Sequence, residues 1–130
     1  MPLITLIMLG TVDFGRLFFA GVVAANAAGV GAFVGAQNGI SAGDYAAMET
    51  SALSDAAERA ALTATADQQC RCPDGTVVGC TEIEETTCNG YGVPRAYVRV
   101  RTADTFETFG AYPWIPSHTN IGRQTWMRVR

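Results

Sequence analysis

The chain is 130 residues long, 48% hydrophobic and only 16% charged, against roughly 25% charged for an average soluble domain. Nine basic residues, all arginine, and twelve acids give a formal net charge of −3, which argues against a nucleic-acid binder that works by bulk positive charge. The length holds one compact domain, or a smaller one carried on an extended segment.

Charge is distributed unevenly along the chain. Between Met1 and Gly43 only Asp13 and Arg16 ionise, whereas all four cysteines, eight of the nine arginines and eleven of the twelve acids follow Gly43. An α-helix crosses a bilayer core with about 20 apolar residues, and residues 3–36 supply such a run. Asp13 and Arg16 interrupt it at i and i+3, on one helical face, where they can neutralise each other. A cleaved secretory signal would show a basic start and an apolar core of roughly 7–15 residues. Here no basic residue precedes the run, and the run is longer.

Small residues recur within this segment at helical spacing. Gly31, Gly35, Gly39 and Gly43 follow one another every fourth residue, with Gly21, Ala25 and Gly29 one face over. Such ridges let a second helix approach backbone to backbone. The expectation is a helix over residues 3–36 packing against copies of itself, broken by the turn-forming stretch from Asn38-Gly39 to Gly43-Asp44. Residues 1–43 then form a membrane or filament-core helix and residues 44–130 an extracytoplasmic domain.

That domain opens with a predicted second helix over 51–66. Leu53, Ala57, Ala60, Ala61 and Leu62 form a thin apolar stripe opposite Asp55, Glu58 and Arg59, and Ser51 or Ser54 is placed to cap it. From Cys70 the period shortens to two. Pro73-Asp74-Gly75 is a turn before Thr76-Val77-Val78, and residues 81–87 alternate around Ile83. Over 95–101, Ala96, Val98 and Val100 alternate with Arg95, Tyr97, Arg99 and Arg101; Met127 and Val129 alternate with Trp126, Arg128 and Arg130. Three to five antiparallel strands without a βαβ unit follow. The fold class is α+β: a long apolar helix, a short helix and a small sheet.

Cys70, Cys72, Cys80 and Cys88 lie within the β-rich half. Spacings of one, seven and seven residues depart from paired zinc knuckles, and an apolar N-terminus fits export, where thiols oxidise. Disulfides are therefore expected and no metal. Bridging Cys70 to Cys72 would be strained, which favours Cys72–Cys80 across the Pro-Asp-Gly hairpin and Cys70–Cys88 outside it. Catalytic signals are scarce. His118 is read as a surface-loop histidine, Asp13-Phe14-Gly15 lacks the rest of a kinase signature, and no constellation of nucleophile, base and stabiliser is apparent. Neither an enzyme nor a cofactor is expected. Acidic Glu82, Glu84 and Glu85 are candidate partners for Arg99, Arg101, Arg128 and Arg130, within the chain or between subunits. Tyr112-Pro113-Trp114-Ile115-Pro116 is a candidate apolar contact loop, with packing beneath the sheet as its simpler role.

The segment from Pro2 to Phe19, centred on Gly10-Thr11-Val12-Asp13-Phe14-Gly15-Arg16, resembles the TadE-like family of type IV pilin-related proteins. Ala24-Ala25-Asn26-Ala27-Ala28, Cys70-Arg71-Cys72, Val98-Arg99-Val100 and Trp126-Met127-Arg128-Val129 extend the likeness along the chain. The resemblance implies a subunit of a tight-adherence-type pilus that serves surface attachment. Such a subunit is held in the inner membrane by its helix, processed by a prepilin peptidase and moved by the assembly machinery into an extracellular helical filament of like copies, with no nucleic-acid partner. It further implies a short basic leader and a glutamate fifth in the mature chain; Thr5 stands fifth here. Leader residues upstream of Met1, or Met1 as the mature N-terminus, are the two expectations. A minor pseudopilin that primes or caps a filament, and a membrane-anchored binding domain, are the alternative functions.

Overall fold

A computed structural model of the chain describes residues 2–80, 88, 90, 92–110, 112 and 115–129. Helix α1 runs unbroken over Pro2–Ala36. Its one proline is the first helical residue, where the missing amide hydrogen is not needed. The helix is apolar on all sides, so its sidedness is one of size. Ala20, Ala24, Ala27, Ala28 and Ala32 are fully buried, while Phe14, Phe18 and Phe33 remain 60–70% exposed. Small side chains let the sheet approach closely, and bulk is turned away from it. Residues 3–9 are exposed throughout.

The helix ends where the Asn-Gly signal places it. Asn38 Oδ1 accepts from the amides of Ile40 and Ser41 at 3.0 and 2.8 Å, and a 3-10 turn follows at Ser41–Gly43. Helix α2 spans Tyr45–Asp55, not 51–66. Its cap is Asp44, whose Oδ1 accepts from the Ala47 amide at 3.0 Å, and not Ser51 or Ser54. Ala57, Ala60 and Ala61, which suggested a longer helix, lie in the connection after α2, and the Ala64 and Ala66 that follow are drawn into a sheet: β1, Thr63–Arg71, pairs with β3, Arg95–Glu107, through nine consecutive residue pairs from Thr63↔Ala103 to Arg71↔Arg95. A ladder of that length outweighs alanine's modest helical preference.

With β2 (Val77–Val78) and β4 (His118–Arg128) the sheet has the order β2-β1-β3-β4, all neighbours antiparallel. The expected alternation holds: Val98 and Val100 are fully buried and meet Ala24, Ala27, Ala32, Met48 and Ala52 from the helices. Beyond them Phe106 and Ile121 close over Ala20 and Leu17. The Thr102 hydroxyl donates to the Ala24 carbonyl at 2.7 Å, a buried bond from sheet to α1. Glu49 Oε1 accepts from the Ala66 amide at 2.9 Å and ties α2 to β1. The result is an α+β fold of two layers, helices on one face of the sheet. The segment 81–87 lies outside the described residues.

All four cysteines form disulfides, but the pairing corrects the sequence reading: Cys70 bonds Cys80 and Cys72 bonds Cys88. The hairpin register is the reason. Cys70 faces Val78 and Arg71 faces Val77, and the Cys72 amide donates to the Thr76 carbonyl at 2.9 Å. Cys80 thus falls two positions along from the residue opposite Cys70, but four from the residue opposite Cys72. At about 3.3 Å per strand residue the second separation exceeds the reach of a disulfide, near 7 Å between Cα atoms. The bonded Cα pairs are 5.2 and 5.5 Å apart.

Candidate functional site: the Asp13–Arg16 anchor and the helix and sheet faces

Asp13 and Arg16 come together as their spacing suggests, with Nη1 of Arg16 2.9 Å from Oδ1 of Asp13. They do more than neutralise each other. Asp13 is 5% exposed and accepts from the Phe109 amide at 3.1 Å and from the Tyr112 hydroxyl at 2.8 Å. The Arg16 guanidinium lies 3.7 Å from the centre of the Phe109 ring and 5.2 Å from that of Phe106, within cation–π range. One helical turn thereby fastens the β3–β4 connection onto α1. Burial, with the Asp13 carboxylate beside it, raises the Tyr112 hydroxyl above its ordinary pKa of 10.0. A groove of 170 Å³ lies alongside, walled by Gly10, Phe14, Leu17 and Ile115.

The partners Phe109 and Tyr112 were not paired with Asp13 from sequence. Only the carboxylate's position in an apolar helix signalled that a donor had to come from elsewhere, because a buried charge without hydrogen bonds is costly. Tyr112 of the candidate contact loop packs inward onto α1, while Ile115 is exposed; Pro113 and Trp114 lie outside the described residues.

The small-residue ridge is used within the chain. A Cβ on Gly31 would lie 2.8 Å from the Met48 carbonyl oxygen and 3.2 Å from Val100 Cγ1; one on Gly35 would lie 2.9 Å from Met48 Cε. The expectation that these two glycines admit another copy is corrected: the close neighbour is α2 of the same molecule. Gly21 faces the Arg123 side chain, with Nη2 3.1 Å from such a Cβ. Ala25 is half-buried. Gly29 has open space, and so does Gly39, which lies beyond the end of α1. The uncovered part of α1 comprises its exposed aliphatic start, from Leu3 to Val12, and a side that carries Phe14, Phe18, Phe19 and Phe33 with Val22 and Val30.

A second charged pair reaches into the core. Asp104 of β3 is 2% exposed and accepts from Arg59 Nε at 2.7 Å, with Nη2 also bonded. Arg59 therefore closes the α2–β1 connection over the sheet.

The outer face of the sheet is arginine-rich. Arg99 bonds Asp67 through Nε at 2.8 Å and Nη2 at 2.5 Å, so an acid on the neighbouring strand does intervene, as adjacent arginines require. Trp126 lies under two guanidiniums, Arg71 at 4.8 Å and Arg99 at 4.7 Å. Arg101 and Arg128 are exposed on the same face and form no ion pair among the described residues. Glu82, Glu84 and Arg130, the remaining candidates for surface pairs, lie outside the described residues. His118 begins β4 instead of lying in a loop, with Nδ1 3.4 Å from Glu107.

In comparison with known protein families, residues 1–32 match the model of the TadE-like protein family, the segment that holds Gly10 to Arg16. No curated protein and no solved structure matches the chain.

Proposed function

We propose that this chain is a structural subunit of a tight-adherence-type pilus, in which α1 packs into the filament core and the sheet is displayed outward for surface attachment. The observation that carries the reading is the division of α1 by size. Its alanine side is spent on the chain's own sheet, while Phe14, Phe18 and Phe33 stay uncovered. Apolar area of this kind gains about 25 cal/mol per Å² when removed from water, and neighbouring copies can supply the cover. The match of residues 1–32 to the TadE-like model supports the same reading. The length and hydropathy of α1 meet the requirement for a membrane span, so before assembly the helix holds the chain in the inner membrane. A prepilin peptidase and assembly machinery are its partners there. The role is structural, without catalysis.

Mass spectrometry of filaments sheared from cells tests the proposal. This chain is expected as the dominant component. A trace amount within filaments of another protein would make it a minor pseudopilin, and retention in membranes with none in filaments would make it an anchored domain.

A further inference from the structure

The outer face of the sheet and the far end of α2 are each left with charge that the chain's described residues do not answer. On the sheet, Arg71 and Arg99 stack on Trp126 and Arg95, Arg101 and Arg128 share their face, with one acid among them, Asp67. Arg95, Arg101 and Arg128 are exposed, and the Arg71 Nε is buried without a hydrogen-bond partner among the described residues. The chain as a whole is acidic, at −3, and among the described residues most of the acid lies elsewhere, Glu82, Glu84 and Glu85 being outside them.

Part of it lies in the helical layer. Asp55, the last residue of α2, and Glu58 just after it are exposed and have no ion pair among the described residues. The last turn of α2 carries no basic residue. Carboxylates at this position sit against the negative end of the helix dipole, which favours a cation there. Arg59, the nearest cation in sequence, is committed to Asp104.

We propose that these two patches meet between copies: the arginine face of one sheet receives the Asp55–Glu58 end of α2 from the next copy. The inference rests on the filament-subunit reading and names a contact within it. The patches lie in opposite layers of the fold and differ from each other, so the contact is head-to-tail. After one contact each copy has used one of its two patches, so the pair still offers one patch of each sign, and a head-to-tail contact that does not close into a ring propagates as a helical filament. Charge complementarity of this kind fixes register and excludes wrong partners more than it adds affinity.

A charge-swap experiment on the full-length chain tests it. Arg101→Glu with Arg128→Glu forms one variant and Asp55→Arg with Glu58→Arg the other; all four sites are exposed, and thermal unfolding in detergent checks that each variant folds. Filament yield from cells and self-association in detergent, by sedimentation, are both measured. Each variant alone is expected to lose about tenfold or more in both readouts, because like charges then face each other. The mixture is expected to recover, since both of its contacts are again opposite in sign. Two folded variants that assemble like the wild type, or a mixture that does not recover, would overturn the contact while leaving the filament reading intact. Swap-dependent association in detergent with no filaments from wild-type cells would support the contact and overturn the filament reading. If the arginine variant assembles normally but loses retention on an acidic polysaccharide, the face serves a foreign polyanion and the contact between copies is overturned.

Discussion

At the residue scale, two glycines of one ridge differ in what stands behind them. At Gly31 the obstacle is a backbone carbonyl and at Gly35 a methionine side chain, Met48, whose Sδ, Cε and Cγ all crowd the position. Gly31→Ala is expected to destabilise the fold by about 1–3 kcal/mol, the usual cost of overpacking. Gly35→Ala is expected to cost clearly less, because Met48 can change rotamer. Chemical denaturation of the two variants in detergent checks the order, and equal losses would show that Met48 is held as firmly as the backbone. Arg59→Ala leaves the buried Asp104 carboxylate without its cation, a change that costs about 3–5 kcal/mol; the same denaturation measurement reads it. The Asp13 contacts add a pH dependence. Tyr112 has its pKa raised by burial and by Asp13, so the folded state favours the protonated hydroxyl. The stability this gives is complete below the ordinary value of 10.0 and is lost as pH rises through the raised value. Tyr112→Phe should remove that alkaline dependence, which unfolding midpoints between neutral and alkaline pH would reveal.

At the scale of elements, the sequence patterns that worked were those whose period or turn chemistry is local. Alternation at Ala96, Val98 and Val100 marked a buried strand face, and Asn38-Gly39 marked the end of α1. The boundary of α2 was not legible, because Thr63-Ala64-Thr65-Ala66 satisfies both a strand alternation and an alanine-rich helix. Only pairing with a strand more than thirty residues away decides between them. The Asp13 partners were hidden for the same reason: Phe109 and Tyr112 are 96 and 99 residues distant. The disulfide pairing turned on hairpin register, which spacing alone leaves open. Non-reducing peptide mapping should therefore yield Cys70–Cys80 and Cys72–Cys88, and a Cys72–Cys80 peptide would refute the register. In the same hairpin Asp74 Oδ1 accepts from the Thr76 amide at 2.9 Å, and this bond lowers its pKa below 3.8. The stability it contributes is present above the ordinary carboxylate value and fades as pH falls through the lowered one. Acid should loosen this turn, seen as a loss of protection of the Thr76 amide relative to its intrinsic exchange rate at each pH, and Asp74→Ala should show the low protection throughout.

At the scale of the whole molecule, α1 has a covered side and an uncovered one. One side completes a small sheet domain that would be marginal without its disulfides and its helix. The other, which carries Phe14, Phe18, Phe19 and Phe33 with Val22 and Val30, is uncovered. The hydrogen bonds and stacking of the Asp13–Arg16 turn hold the β3–β4 connection onto the helix. Two features of α1 bear on the proposed filament: the Asp13 carboxylate with its three donors, and the grading of the helix from buried alanine to exposed phenylalanine. In a filament both features are useful, since the first fixes how each domain sits on its helix and the second presents bulk to the neighbours. The most direct measurement is a high-resolution helical reconstruction of filaments sheared from the cell surface. We expect Phe14, Phe18 and Phe33 to contact neighbouring copies while Ala24 and Ala28 remain against their own sheet. Filaments in which α1 has left its sheet, or in which the aromatic side faces solvent, would contradict the filament-subunit reading.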